Sequence, residues 1–174
     1  MQPPDISGKN RPDAIVNKKT IIKKITAQLA GELELYFRAA QYARAEATHE
    51  QNKAEHKYDT RGLEASYLAR GQSRQAAELE AAIAEFEKLD ARDFRDGEGI
   101  GLGALVELEH GGETTFYFLG PRAGGTTVRH DRKEILVITP QSPLGNQLLG
   151  KKQGDHPRLQ FGGASQPGTI VSVT

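Results

Sequence analysis

Four carboxylates stand in or just after a polar stretch of the chain, residues 48–62. They are Glu50, Glu55, Asp59 and Glu64. Carboxylate oxygens suit a hard cation such as Mg²⁺, which usually takes only one or two of them from a protein and completes its shell with water and phosphates. A metal held in this way lowers the pKa of a bound water and creates a hydroxide that can attack a phosphodiester. One loop cannot complete that shell, so another molecule would have to supply the remaining ligands.

Aromatic and basic side chains near these carboxylates suit contacts with a nucleic acid. Tyr58 could stack on a base, and Arg61 could contact a phosphate. Arg70 and Arg74 lie one helical turn apart on one face and could touch an RNA backbone. The stretch therefore combines residue types that could bind a metal with residue types that could bind RNA.

Ordinary solvated charges at a turn between two helices explain the same residues equally well. In this second interpretation Asp59 caps the start of a helix and Gly62 breaks one. The two arginines would then pair with Glu64 or Glu78, which stand at helical spacing from them. Both interpretations remain open at the level of the sequence.

Two apolar stripes flank the polar stretch, and their steps of three and four residues predict two long helices. The first stripe consists of Ile22, Ile25, Leu29, Leu33, Tyr36, Ala40, Ala43 and Ala47. The second consists of Ala65, Leu68, Gln72, Ala76, Leu79, Ile83 and Phe86. We expect an antiparallel coiled-coil hairpin in which each helix covers the other's stripe. Alanines towards the polar tip would let the helices approach closely, and large residues would thicken the base.

Glycine divides the chain near Asp96, since only four of the 19 glycines precede that residue. The first half is rich in helix formers, and the second half in Gly, Thr, Val and Pro. We therefore predict a flexible arm over residues 1–17, a hairpin over 18–90, a linker over 91–99 and a β-rich domain over 100–174.

Alternating apolar residues predict the strands of the second domain, and turn residues separate them. Ser142 followed by Pro143 is typical of a helix start, and Gly150 suits the end of the same short helix. The whole is predicted to be a small antiparallel sheet with one helix. Its predicted strands are Gly103–Glu109, Thr114–Leu119, Glu134–Ile138, Arg158–Phe161 and Thr169–Val173.

Composition excludes several classes of protein. The chain has no Cys, which excludes a disulfide framework and thiolate metal sites. It has no apolar run near the roughly 20 residues that a membrane helix needs, and its start carries no apolar signal segment. We expect a cytoplasmic protein without a membrane partner. Lys and Arg balance Asp and Glu at 23 each, so net charge identifies no partner. The local basic cluster Lys18, Lys19, Lys23 and Lys24 could meet an acidic surface or simply be solvated.

One contiguous segment resembles a known family. Residues 142–155 run Ser-Pro-Leu-Gly-Asn-Gln-Leu-Leu-Gly-Lys-Lys-Gln-Gly-Asp. This resembles the signature of the C-terminal domain of the bacterial Gre transcription elongation factors, and the closing Ile170–Val173 looks like that domain's last strand. The resemblance implies an α+β fold, with an N-terminal antiparallel coiled-coil hairpin followed by a small FKBP-like β-rich domain.

The same resemblance implies a monomer that acts on RNA polymerase and is not a stand-alone enzyme. The FKBP-like domain would dock at the rim of the polymerase secondary channel, and the hairpin would reach down to the active site and the 3′ end of the nascent RNA. There the tip carboxylates would share a Mg²⁺ with the polymerase and promote cleavage of backtracked RNA. The residues expected at the docking face are Ser142, Pro143, Leu144, Gly145, Lys151 and Lys152.

The tip departs from the family pattern, because classical members carry Asp-x-x-Glu there and this stretch has no such run. Two alignments are possible: one uses Glu50 and Glu55, and the other uses Asp59 and Glu64. A factor that occupies the secondary channel without promoting cleavage is therefore an alternative. Prolyl isomerase activity, which an FKBP-like fold brings to mind, is the less favoured third hypothesis. The few aromatic residues of the second half are expected to form its core.

Overall fold

The structure is a computed structural model that describes residues 17–48, 61–161 and 164–174. Two long helices come first, α1 over Lys18–Thr48 and α2 over Arg61–Glu87. Asn17 caps α1, because its side-chain oxygen accepts a hydrogen bond from the Thr20 backbone N–H at 3.2 Å. Most of the predicted N-terminal arm and the connection between the helices lie outside the described residues.

The two helices run antiparallel and bury the face that each turns to the other. The start of α1 shares an apolar cluster with the end of α2, and Arg44 near the end of α1 donates a hydrogen bond to Ser73 of α2 at 3.0 Å. Towards the far end the buried positions are alanines, which allow close approach of the backbones. These are Ala40, Ala43, Ala69 and Ala76.

The second stripe differs from the prediction at one position. Leu68 was expected in the seam but is 55% exposed, and Ala69 takes the buried place. Ala69 and Ala76 stand seven residues apart, which is the spacing that faces a partner helix. The small side chain at Ala69 lets the helices come close and leaves the larger Leu68 outside the seam.

Six strands and one short helix follow the hairpin. The sheet order is β3-β4-β2-β1-β6-β5. The elements are β1 Leu105–His110, β2 Glu113–Leu119, β3 Thr127–His130, β4 Lys133–Ile138, α3 Pro143–Leu148, β5 Arg158–Phe161 and β6 Ala164–Val173. The architecture is therefore α+β, as predicted.

The sheet is mixed, which corrects the prediction of an antiparallel sheet. β2 and β4 pair in parallel, with Phe116 opposite Ile135 and Leu119 opposite Ile138. A parallel pair cannot be closed by a tight turn and needs a crossover connection. The strand β3, which was not predicted, lies in this crossover and pairs antiparallel with the outer side of β4.

Two apolar clusters cover the two faces of the sheet, and the alternation along β2 separates them. Phe118 and the partly buried Phe116 point to one face and Tyr117 to the other, as expected for neighbouring strand residues. The first cluster joins the sheet to the base of the hairpin. Its buried members are Ile21, Ile22, Ile25, Leu29, Ala82, Phe86, Leu105, Phe118, Val128, Ile135 and Val137. The hairpin and the sheet thus share one core.

Polar contacts surround this shared core. Arg122, just after β2, bridges to Glu85 at 2.6 Å and to Glu78 at 3.2 Å on α2. On the other helix, the Lys24 ammonium donates to the backbone carbonyl of Arg129 at 2.7 Å. Both helices are therefore tied to the sheet at their base. In the part of the chain that the structure describes, no helix is long and apolar enough to cross a bilayer.

Candidate functional site

Of the four predicted tip carboxylates, the structure describes Glu64. Glu50, Glu55 and Asp59 lie outside the described residues. Glu64 is exposed in the first turn of α2, where a negative charge is favoured by the helix dipole. It could supply one oxygen ligand to a Mg²⁺ whose other ligands came from a partner and from phosphates. Within the described ranges, no three His, Asp or Glu side chains gather as a metal site.

The predicted RNA-contacting arginines follow Glu64 along the same helix. Arg61 is the first residue of α2, and Arg70 and Arg74 are exposed one turn apart. Glu78, one of the two partners predicted for these arginines, bridges to Arg122 of the sheet domain at 3.2 Å. The side chains of Arg70 and Arg74 are exposed, so a phosphate could reach their guanidinium groups.

Six large apolar side chains on the distal half of the hairpin are exposed, and sequence reasoning missed them as a group. Most of them lie outside the two predicted apolar stripes, and this position in the sequence could have indicated that they are exposed. They are Leu35 at 66% exposure, Phe37 at 45%, Tyr42 at 78%, Leu63 at 56%, Tyr67 at 64% and Leu68 at 55%. We call these six residues the distal apolar surface.

A shallow groove accompanies the distal apolar surface. It is lined by Glu32, Leu35, Tyr36 and Ala39 of α1 and by Gln72 of α2. At the base of the hairpin, by contrast, Ile21, Ile25, Leu29 and Phe86 are fully buried. Apolar residues thus pack inside the protein near the sheet and face solvent towards the tip.

The predicted docking residues Ser142, Pro143, Leu144 and Gly145 build the start of α3. Ser142 is its N-cap, accepting from the Gly145 backbone N–H at 3.1 Å, and Pro143 is at the first helical position. A Cβ on Gly145 would lie 1.9 Å from the Thr139 carbonyl oxygen, so a larger residue cannot fit. Ser142, Pro143 and Gly145 therefore have a structural reason for their type, and Leu144 packs partly buried against the second apolar cluster; among these four the Pro143 side chain is the exposed one.

The second half of the signature forms the turns after α3. Gly150 and Gly154 have φ angles of 75° and 84°, which favour glycine. The Asp155 carboxylate accepts a hydrogen bond from the Lys152 backbone N–H at 2.8 Å and so fixes the turn. The side chains of Lys151 and Lys152 are exposed on this turn. Together with Pro143 they are the exposed members of the predicted docking face.

The basic cluster at the base of the hairpin is in part structural. Lys18 is only 2% exposed, and its ammonium donates to the Arg92 carbonyl at 2.5 Å and lies 4.7 Å from the centre of the Phe94 ring. Burial lowers the pKa of Lys18 to about 8. Lys24 is held by Arg129, as described above, whereas Lys19 and Lys23 are exposed.

Three aromatic residues of β2, Phe116, Tyr117 and Phe118, pack in the core. Phe118 and Tyr117 are 0% and 5% exposed and belong to opposite apolar clusters. Phe116 packs against the first cluster and carries the Lys133 ammonium 4.4 Å from its ring centre. These three rings therefore serve packing, and an open aromatic pocket of the kind that isomerase activity needs is not built from them.

Three solved structures are similar to this chain. GreA factor homolog 1 (Gfh1) of Thermus thermophilus has 27% identity and a TM-score of 0.36, with 86% of this chain and 94% of that chain covered. A second structure, of the transcription factor Gfh1, has 26% identity and a TM-score of 0.37, with 87% and 94% covered. Gfh1 of Thermus aquaticus has 27% identity and a TM-score of 0.37, with 87% and 94% covered.

No protein-family model and no curated protein matches the chain. These three structures are of Gfh1, a Gre-factor homologue, and the segment 142–155 resembles the Gre family.

Proposed function

We propose that this chain is a transcription factor that binds RNA polymerase and inserts its helical hairpin into the secondary channel. The observation that carries the proposal is the distal apolar surface. Leu35 and Tyr42 stand seven residues apart and so share one face of α1, and Leu35 also lines the shallow groove; apolar side chains that share an exposed face mark a surface that a partner covers. These residues lie on the half of the hairpin that would enter a channel, while the half beside the sheet has its large apolar residues buried.

The charged residues of the hairpin support the same proposal. Arg70 and Arg74 offer exposed guanidinium groups to phosphates, and Glu64 offers a carboxylate at the start of α2. The sheet domain, which we propose to be FKBP-like, would dock at the channel rim through Pro143, Lys151 and Lys152. The protein would act with the polymerase and not as an enzyme alone.

The first candidate activity is stimulation of RNA cleavage at the 3′ end of backtracked RNA. Glu50 with Glu55, or Asp59 with Glu64, would take part in holding a Mg²⁺ at the polymerase active site. Such an ion, when bound, supplies an activated water for phosphodiester attack. The role of this chain's own residues is to carry negative charge to that place on a stiff two-helix support.

A second candidate activity is occupancy of the channel without cleavage, and a specific observation favours it. The tip stretch contains no Asp-x-x-Glu run, so the carboxylate spacing differs from that of classical Gre factors. A hairpin with a different spacing could fill the channel and regulate initiation or pausing without placing two oxygens on one ion.

The test is a binding and cleavage experiment with bacterial RNA polymerase. We expect the wild-type chain to bind core polymerase, and Leu35→Ser with Tyr42→Ser to weaken that binding about tenfold or more, because anchors in covered surfaces contribute most of the affinity. Val171→Ser is the matched control, since Val171 is also exposed, at 40%, but lies on the sheet domain. Absence of binding, or equal effects of the three substitutions, would contradict the proposal.

The two candidate activities separate in a stalled, backtracked complex. If the chain promotes cleavage, RNA shortening appears and falls in one or more of the single variants Glu50→Ala, Glu55→Ala, Asp59→Ala and Glu64→Ala. Glu109→Ala, at an exposed carboxylate of β1, is the control and should leave shortening unchanged. Binding without any RNA shortening identifies the channel-occupying factor.

A further inference from the structure

Gly120 lies beside Phe86 at the base of the hairpin. It follows β2 directly, is buried, and its backbone N–H donates to the Ile138 carbonyl at 2.9 Å. A Cβ built on Gly120 would lie 2.6 Å from Cζ of Phe86 and 3.1 Å from Cγ1 of Val137. The Phe86 ring therefore occupies the space that a side chain at residue 120 would need.

The Phe86 ring has no free direction in which to move. It is fully buried, its centre lies 6.3 Å from that of Phe118, and it belongs to the core that joins hairpin and sheet. Protein cores are close-packed, so an added methyl group displaces its neighbours. Phe86 is also in the last turn of α2, which ends at Glu87. A group that pushes on the ring therefore pushes on the base of the helix.

Displacement at the base grows along the helix. Arg61 and Phe86 mark the two ends of α2, and a rise of 1.5 Å per residue puts them about 38 Å apart. A shift of about 1 Å at a base of about 10 Å contact length becomes about 4 Å at the far end by simple leverage along such a rod. The position of the tip is thus sensitive to the contact of one ring with one glycine.

We propose that Gly120 is a positioning residue that sets the angle between the hairpin and the sheet domain. Its effect on tip chemistry depends on the function proposed above, but the angle itself does not. The contact joins residues 34 positions apart in sequence, from the last turn of α2 and the end of β2. Polymerase contacts are not needed for it.

The experiment measures the angle directly as a distance in the free protein. The chain has no Cys, so two introduced cysteines can be spin-labelled without background. Gln41→Cys on the distal part of α1 and Glu113→Cys at the start of β2 are both exposed and outside the proposed contacts. Gln41 lies seven residues before the end of α1, about 27 Å from the base, so we expect Gly120→Ala to shift the mean distance between the two labels by about 3 Å by the leverage above.

Gly168→Ala is the matched control. A Cβ there would lie 2.8 Å from Cδ1 of Leu159, a similar clash, but in the second apolar cluster, whose described members all lie between residues 94 and 173. We expect it to destabilise the protein and leave the distance unchanged. An unchanged distance in folded Gly120→Ala, or an equal shift in Gly168→Ala, would overturn the proposal.

Two further variants keep the test decisive should Gly120→Ala not fold. Adding Phe86→Leu to Gly120→Ala removes the clashing end of the ring, and the distance should return towards that of the wild type. Phe86→Leu alone opens space beside Gly120, and the distance distribution should broaden. A narrow, wild-type distribution in the Phe86→Leu protein would contradict the positioning role. None of these outcomes depends on whether the chain binds polymerase.

Discussion

At the scale of single residues, several side chains for which the sequence suggested a binding role make contacts that stabilise the fold. Lys18 is the clearest case, because it stood in a basic cluster and is in fact the buried member of it. Its ammonium contacts the Arg92 carbonyl and the Phe94 ring, which fastens the start of α1 to the linker. A charge buried in this way is stabilised by specific contacts but still costs free energy of desolvation.

Lys18 makes the stability of the protein depend on pH. Burial lowers its pKa to about 8 in the folded protein, against 10.5 for the ordinary group, while Asp93, Asp90 and Glu98 oppose the shift and Arg92 adds to it. Between these two values the unfolded chain binds more protons than the folded one, so the free energy of unfolding rises with pH. The destabilising effect is complete below pH 8 and is relieved towards pH 10.5.

The measurement compares urea unfolding of the wild type and of Lys18→Met from pH 7 to pH 10. The stability of the wild type relative to the variant should increase as the pH rises above about 8. Lys23→Met, at an exposed lysine of the same helix, provides the control and should show no such trend. A flat difference between wild type and Lys18→Met over this range would contradict burial of the charged amine.

At the scale of elements, two hairpin turns of the sheet use different residues for the same backbone shape. Gly111 and Gly112 make the β1–β2 turn with φ angles of 59° and 80°. Asp131 and Arg132 make the β3–β4 turn with φ angles of 48° and 63°. Positive φ is easy for glycine and strained for residues with a Cβ. The second turn therefore stores backbone strain that the first avoids.

Arg132→Gly should relieve that strain and raise the free energy of unfolding by about 0.5–1 kcal/mol, the relief being partly offset by the extra freedom of glycine in the unfolded chain. Urea unfolding midpoints measure the effect. In the opposite sense, Gly112→Ala should lower stability by about 1 kcal/mol. Loss of stability in Arg132→Gly would mean that its side chain contributes more than the strain costs.

The contrast between the two turns explains why the sequence predicted the β1–β2 hairpin but not the β3–β4 hairpin. The glycine pair marked the β1–β2 hairpin, and the strands on either side were found. Asp131-Arg132 carries no glycine, so β3 was missed and with it the parallel pairing of β2 with β4. The two helices were predictable from the periodicity of their apolar residues. The buried face of α2 was predicted less well, because Ala69 is buried in the seam and Leu68 is exposed. Tip residues Glu50, Glu55 and Asp59 stay predictions.

At the scale of the whole molecule, the hairpin and the sheet are held by one core. The sequence placed a linker between two domains, and helix periodicity gives no information about contacts across it. The observed cluster puts Ile25 and Phe86 of the hairpin with Phe118 and Val137 of the sheet. We therefore expect the base of the hairpin and the sheet to unfold as one cooperative unit.

Phe86→Ala tests that cooperativity. Removing a fully buried ring should cost about 3–5 kcal/mol, and the helical circular dichroism should be lost together with the amide-exchange protection of β2 and β4. Tyr42→Ala removes a ring that is 78% exposed and should change stability by no more than about 0.5 kcal/mol. Sheet amides that stay protected while the helical signal falls would show two independent units.

The shared core also determines how the chain can be divided. A cut within residues 90–99 would leave a helical piece with Ile21, Ile25 and Phe86 uncovered and a sheet piece with Phe118 uncovered. Each fragment alone would expose apolar surface and tend to aggregate. Each would also bind the other, because the two exposed surfaces pack together in the intact chain. The helical and sheet fragments could therefore serve as a split protein that reassembles when the two fragments are mixed.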